Sequence, residues 1–552
     1  MDSVNSNSQP LLVRPDNSAA AATPAFNGQA LNPPAINPPA INPWIIALTV
    51  TLATFMEVLD TSVANVALPH IAGSLSASTD ESTWVLTSYL VSNAIVLPMS
   101  GWFSSLIGRK RFYMSCVALF TISSCLCGLA PSLPMLIVFR VLQGAGGGGL
   151  QPSEQAILAD TFPPRQRGMA FAVYGMAVVL APAIGPTLGG WITDSFSWRW
   201  IFFINIPVGI ISLLLTNRLI TDPPYMRREN RKTFRIDYIG LGLLALGLGA
   251  LQVVLDKGER DDWFGSHFIL ITTTISISAL IAVVVWEWKH KHPIIDLHLF
   301  KDRSFAIGNL LMFMVGFALM SSTVLIPLFL QTMMGYTAQE AGLALMPGGF
   351  AIILVMPLVG FLLGRYDARR LLLVGFTLLA VALFYMTHFN LSIDFRHAAL
   401  ARLVQALGLA FLFVPINTAA YAFLPKDKNN AASGLINLSR NVGGSVGISV
   451  VTTMLSRRTQ FHLAKLSDHV HPGNAKMQAM LSAASHMLMA RGSGAYEASH
   501  QAYALVSNML ARQATMLAYV DDFWLVGVAV VTMIPFVFLM KKVKPGGPIA
   551  VH

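Results

Sequence analysis

Hydrophobic residues in this chain come in runs of about 20, broken by short polar joints, with no sustained alternation of polar and apolar positions. At 1.5 Å per residue such a run crosses about 30 Å of hydrocarbon. Spans are predicted at 44–68, 84–104, 112–130, 134–153, 168–192, 199–217, 237–255, 267–287, 304–330, 340–363, 370–387, 398–421, 431–455 and 521–540, fourteen helices in all. A transmembrane barrel would need short alternating strands, and none are found. Composition agrees: 54% of the 552 residues are hydrophobic, 12% are charged and mean hydropathy is +0.59. A soluble domain carries roughly 25% charged residues, so much of this surface must face lipid. The predicted fold class is an all-α polytopic membrane protein.

The net charge of +10 changes this picture only through its distribution. With the N-terminus inside, the short inner loops and C-terminal tail hold about 23 Lys and Arg, and the short outer loops about 3. Arg109-Lys110-Arg111, Arg165, Arg167, Arg227-Arg228, Arg231-Lys232 and Lys541-Lys542 all belong to the inner set. The basic residues are therefore topology signals that place both termini in the cytoplasm, and no nucleic-acid partner is expected. Residues 1–43 are polar and Pro-rich, with the pentads PPAIN-PPAIN at 33–42, and read as a disordered cytoplasmic tail. They have no signal-peptide pattern. Cys116, Cys125 and Cys127 share the third span without a His or acid beside them, a poor metal site and a good packing set. No metal, no cofactor and no nucleophile–base pair is expected within the spans, which excludes an enzyme.

The chain also repeats itself. Arg140-Val141-Leu142-Gln143-Gly144 returns as Arg402-Leu403-Val404-Gln405-Ala406 at an offset of 262, and Gly101…Arg109-Lys110-Arg111 returns as Gly360…Arg369-Arg370 at an offset of 259. Phe162-Pro163 matches Leu424-Pro425, and Gly185 matches Gly447. Two six-helix bundles follow, 44–217 and 304–540, with two inserted helices at 237–287. Parallel six-helix repeats enclosing a site at their interface are a transporter architecture. The departures from the repeat point to chemistry: Asp60 is matched by Ser322, and Pro186 by Ile448.

Asp60 lies in the first span, where a carboxylate costs on the order of 2.5–3.5 kcal/mol. Glu57, Asp60, Thr61, Ala64 and Asn65 form one helical stripe that should face the bundle interior. Counted from the outer ends of their spans, Asp60 lies about 12 Å deep and Arg140 about 9 Å, so the two can pair if the first and fourth spans are neighbours. A buried Arg cannot shed its charge and needs an acid. Asp60 and Arg140 are the candidate proton-coupling residues. Glu57, one turn deeper, is assigned to cargo, with Thr61, Asn65, Gln143 and, in the second span, Trp84, Tyr89 and Asn93. The run from Gly144 to Gly149 lacks the following Lys-Ser/Thr of a phosphate loop and reads as close helix approach. Pro182 and Pro186, with Gly185, Gly189 and Gly190, should bend the fifth span and let a neighbour slide against it.

Four stretches resemble the major facilitator superfamily, and specifically its fourteen-helix drug:proton antiporters of the EmrB/QacA type: Leu59-Asp60-Thr61…Asn65-Val66-Ala67-Leu68-Pro69, Arg140…Gln143-Gly144, Gly185-Pro186…Gly189-Gly190, and Trp198-Arg199-Trp200 through Pro207. The resemblance covers nearly all of 44–540 and implies the major facilitator fold. It also implies proton-driven export of small amphipathic compounds across a bacterial inner membrane, with no cofactor beyond the proton gradient. The alternatives are export of one physiological metabolite and a non-transporting sensor. Gly101, Gly108, Arg109 and Lys110 match the superfamily's switching loop, but its acid is replaced here by Ser105, and the first Gly of the fifth-span motif is Ala181.

The outer segment 456–520 breaks the pattern of short outer loops. Asn474 should cap a helix with Met477, Met480, Leu481, Ala484, Met487 and Leu488 along one face. In relatives of that type a membrane-fusion protein passes cargo to an outer-membrane channel, and this segment is the expected docking element; the alternative is that it folds back on the outer mouth or rests on lipid.

Overall fold

The computed structural model describes residues 42–223, 237–290, 293–468, 470 and 473–542. The tail expected over 1–43 falls almost wholly outside them, as do the basic residues at 227, 228, 231 and 232. All regular structure among the described residues is helical. The first half comprises α1 (Pro43–Ser74), α2 (Trp84–Ile107), α3 (Arg109–Leu129), α4 (Leu133–Gly147) continuing as α5 (Leu150–Thr161), α6 (Pro164–Ser195) and α7 (Asn205–Leu219). Then come α8 (Tyr238–Lys257) and α9 (His267–Lys289). The second half comprises α10 (Arg303–Thr332), α11 (Ala338–Leu363), α12 (Ala368–Met386), α13 (Phe395–Tyr421), α14 (Asn429–Ser467), α15 (Ala475–Ala490) and α16 (Ala495–Val531).

Short polar side chains set where many of these helices begin. Asn42 accepts from the Trp44 amide at 3.0 Å, Asp237 from Gly240 at 2.8 Å and Asp302 from Phe305 at 2.9 Å. Each satisfies a first-turn N–H that lipid could not. Twelve helical stretches among the described residues are long and apolar enough to cross a membrane. A thirteenth is α6, bent by 45° between Pro182 and Ile184, as two prolines that remove backbone hydrogen bonds require. α14 has the length, at 39 residues, but not the apolarity: Asn429, Asn430, Asn437 and Arg440 all lie on its buried side. With it the number reaches the fourteen predicted.

Within the first half α1 packs on α6, α2 on α4, and α3 on α4 and α7. Within the second, α10 packs on α14 and α13 on both α11 and α12. The halves meet where α6 lies against α11 and α2 against α14, and the α8–α9 pair leans on α2 and α14. Lys541 pairs with Asp302 at 2.6 Å and Lys428 with Asp296 at 2.8 Å at the end where α1, α3 and α12 begin, called here the basic end. There the halves touch. A Cβ on Gly101 would stand 2.8 Å from the Ala431 Cα, and one on Gly168 3.0 Å from the Gly360 carbonyl oxygen.

Two boundaries differ from those predicted. The fourth span ends at Thr161, not 153, because Gln151, Glu154 and Gln155 are buried in protein and not in a loop. The segment 456–520 is mostly helix: α14 continues to Ser467 and α16 begins at Ala495, so both extend past the far end. Asn474 caps α15 as expected, accepting from Lys476 and Met477. The α15 face is only partly bare. Met477, Leu481, Ala484 and Leu488 pack on Ala502 and Val506 of α16, while Met480 and Met487 stay exposed.

Candidate functional site

The glycines after Gln143 bring α4 against its neighbours. A Cβ at Gly144 would lie 2.4 Å from the Tyr89 carbonyl oxygen, and one at Gly146 2.6 Å from the Phe120 nitrogen. This close approach, with no phosphate cradle, puts Arg140 beside α1. The Arg140 Nη1 donates to Asp60 Oδ2 at 2.6 Å, and Gln143 Nε2 and Asn205 Nδ2 donate to Asp60 Oδ1 at 3.0 and 2.8 Å. Arg140 Nε donates to the Val85 carbonyl at 3.0 Å, and the Tyr89 ring centroid lies 4.4 Å from its Cζ. Arg140 is fully buried and Asp60 is 3% exposed. Such a pair is neutral as a whole, and removing one partner of a buried pair costs about 3–5 kcal/mol.

One turn nearer the basic end, Glu57 Oε1 accepts from Tyr89 Oη and Asn93 Nδ2, both at 3.2 Å. Its Oε2 accepts from Gln151 Nε2 at 2.5 Å. Gln151 Oε1 in turn accepts from Arg440 of the second half and from Tyr174 at 3.2 Å. Glu57 is thus tied to both halves through one amide. Deeper still, Thr51 Oγ1 donates to Glu154 Oε1 at 2.5 Å, while Glu154 Oε2 has no partner among the described residues. Gln155 Oε1 accepts from Tyr421, Ser433 and Asn437, at 2.9, 2.7 and 2.9 Å, and so crosses to the second half. At the basic end Arg109 pairs with Asp160 at 2.5 Å, and Asn429 reaches the same carboxylate at 3.1 Å.

The sequence-predicted residues therefore divide. Asp60, Arg140 and Gln143 form one cluster, and Glu57, Tyr89 and Asn93 the next. Thr61 donates only to its own helix, at Val58, and Asn65 is exposed, so the interior stripe narrows after Asp60. Trp84 sits in the first turn of α2, 5.1 Å from Lys257, outside both clusters. Gly108 turns the chain between α2 and α3 with φ 90°, a conformation that glycine alone adopts freely. Lys110 donates to the Asn217 carbonyl at 2.6 Å. Ser105 bonds back to Trp102, and the acid that holds Arg109 is Asp160. The glycines of the fifth-span motif pack within their own half. Gly185 and Gly189 lie against Ser62 and Val63 of α1, in the same half; Pro186 is half-buried and Gly190 has no neighbour within 4 Å of a Cβ. Contact with the other half comes through Thr187, which a Cβ on Gly342 would meet at 2.7 Å, and through Gly168 and Gly175.

The residues that sequence reasoning missed are Gln151, Glu154, Gln155, Asp160, Tyr174, Asn205 and Arg440. For the first four the signal was present: polar residues at helical spacing directly after an apolar span. Among the described residues no His, Cys, Asp or Glu cluster could hold a metal.

The sequence profile of the Major Facilitator Superfamily matches residues 50–448. The chain belongs to that superfamily. It is 38% identical over 482 residues to the multidrug export protein EmrB of Escherichia coli K12, covering 87% of this chain and 92% of that one. It is 37% identical over 503 residues to the fatty acid resistance protein FarB of Neisseria gonorrhoeae, covering 90% and 96%. The fold is that of the solved proton:xylose symporter XylE, with a TM-score of 0.56 at 15% identity over 89% of this chain and 96% of that one. This major facilitator protein is a multi-pass membrane transporter of small molecules, not an enzyme.

Proposed function

We propose that this major facilitator protein exports small amphipathic compounds in exchange for protons across a bacterial inner membrane, with its basic end and both termini in the cytoplasm. The observation that carries the reading is the buried Asp60–Arg140 pair, present in the first half alone. A proton reaching Asp60 competes with Arg140 for the same carboxylate, so hydration or separation of the pair loads or releases it. Glu57 receives cargo. In the present arrangement Arg440, linked to Glu57 through Gln151, stands in for a cationic cargo and draws the second half in. Cargo that takes over Glu57 frees Arg440 and loosens that tie. Arg109, Lys110, Gly101 and Gly108, with Asp160 and Asn429, latch the cytoplasmic side, and the bend at Pro182–Pro186 lets α6 change shape as the latch opens.

In proteoliposomes an imposed proton gradient should drive exchange of a lipophilic cation for protons. Glu57→Gln should lower exchange of the cation about tenfold while leaving an uncharged amphipath near its original rate, since one charge-assisted contact is lost. Equal loss for both compounds would remove Glu57 from cargo recognition, and no proton release on cargo addition would remove the exchange reading.

The helical extension beyond the far end is read as the dock for a periplasmic membrane-fusion protein that hands cargo to an outer-membrane channel. Met480, Met487, Tyr496, Tyr503 and Met509 remain exposed on α15 and α16 and supply an adaptable apolar face. Deleting residues 475–490 should abolish release of cargo into the medium by double-membraned cells and leave proteoliposome exchange intact. Unchanged cross-linking of the adaptor to the deletion variant would sink the docking role. A second reading, export of a single physiological compound, draws on FarB, whose name refers to fatty acids.

A further inference from the structure

The second half contains a buried guanidinium without a counter-charge. Arg402 on α13 is 4% exposed, and no carboxylate lies within ion-pair distance among the described residues. Its Nη1 donates to Gln405 Oε1 at 2.7 Å and to Ser322 Oγ at 3.4 Å. The Arg402 Nε, Gln405 Nε2 and Ser321 Oγ are buried with no partner among the described residues.

The repeat shows what is missing. In the first half Arg140 bonds Gln143 Oε1 at 2.8 Å, as Arg402 bonds Gln405. There Arg140 Nε reaches Val85 and Gln143 Nε2 reaches Asp60. The same two donors have no partner among the described residues of the second half, and for Gln405 Nε2 the reason is that Ser322 stands at the position of Asp60. The offset of 259 that relates Gly101 to Gly360 also puts Gly348 at the position of Tyr89. Tyr89 covers Arg140, whereas Gly348 brings α11 against the aliphatic stem of Arg402, where a Cβ would stand 3.2 Å from Cγ. The guanidinium is left without an aromatic lid, surrounded by donors and short of acceptors.

We propose that Arg402 and Gln405, with Ser321 and Ser322, bind the carboxylate of an organic-acid cargo at the place where the first half holds Asp60. An Arg inside the membrane keeps its charge and must be matched. A carboxylate answers the planar guanidinium fork with two charge-assisted bonds and accepts the idle Gln405 amide as well. The first half thus carries its acid on the chain, and the second receives it from the cargo. This deepens the exporter reading and rests on it only in treating the anion as cargo.

The test uses the full chain in nanodiscs with radiolabelled decanoate, competed by decanol and by chloride. Saturable binding is expected, weakened about tenfold or more by Arg402→Gln. Ser322→Asp restores the acid in cis, so it should lose decanoate binding equally while remaining monodisperse. Decanoate binding at the unmutated level in Ser322→Asp would overturn the proposal even if Arg402→Gln fails to fold. Displacement by decanol would overturn it in favour of a purely apolar site, and displacement by millimolar chloride in favour of a halide site. Failure of cation exchange in the unmutated protein bears on the exporter reading alone, since decanoate binding is measured without transport.

Discussion

Asp60→Asn is expected to reduce proton-driven export to the level of empty vesicles while the protein still inserts and folds. The amide is isosteric and its oxygen can still accept from Gln143 and Asn205, but its NH2 then faces the Arg140 donor that Asp60 Oδ2 accepts. What it cannot do is exchange a proton with the surroundings. The charge on Arg140 loses its match, so some thermal stability is lost, up to the about 3–5 kcal/mol of a broken buried pair. Detergent gel filtration and exchange assays on the same preparation separate the two effects. Uncoupler-sensitive export at the unmutated rate would leave Asp60 with a structural role only.

The second large effect is expected from Gly316→Ala on α10. A Cβ there would stand 2.0 Å from the carbonyl oxygen of Arg440, and a Cβ on Gly443 would stand 2.1 Å from that of Phe313. The obstructing atoms in both cases are backbone, which cannot rotate aside. One methyl group must therefore push α14 away from α10, and with it Arg440 and Asn437, which hold the two halves together. Overpacking of this kind costs about 3 kcal/mol or more. Gly190→Ala, where a Cβ meets nothing within 4 Å, should stay within about 0.5 kcal/mol. Thermal unfolding of the two variants in the same detergent decides the matter: equal midpoints would mean that α10 and α14 are not held at this spacing.

Much of this architecture was legible because lipid leaves few choices. Apolar runs of the right length become helices, and a carboxylate in such a run demands a partner. Depth along two helices was then enough to bring Asp60 to Arg140. The repeat was legible because Arg140–Gln143 and Arg402–Gln405 keep the same spacing and, in the structure, the same hydrogen bond. Illegible was everything that depends on which helix face meets which neighbour. Asn65 continues the stripe of Asp60 by spacing, yet α1 turns it outward. Gly185 and Gly189 offer a close approach by spacing, yet nothing in the sequence says that α1 is what they meet. Glu154 and Asp160 were lost because polarity alone cannot distinguish a loop from a buried polar helix. Arg440 gave no local signal, since its partners Gln151 and Tyr174 lie far off in sequence and in the other half.

The polarity of α14 has a consequence for how the chain is made. A segment with asparagines and an arginine on one face would partition poorly into lipid as it leaves a translocon, where Arg at a helix centre costs about 2.5–3.5 kcal/mol. It gains its place only by laying that face on α2, α5 and α10, which have already been synthesised. Insertion of α14 is therefore expected to follow completion of the first half, and a ribosome-bound chain long enough for α14 to have left the exit tunnel should hold it in the bilayer only when the first half is present. The expected order of biogenesis is set by one helix whose polar face partitions poorly into lipid.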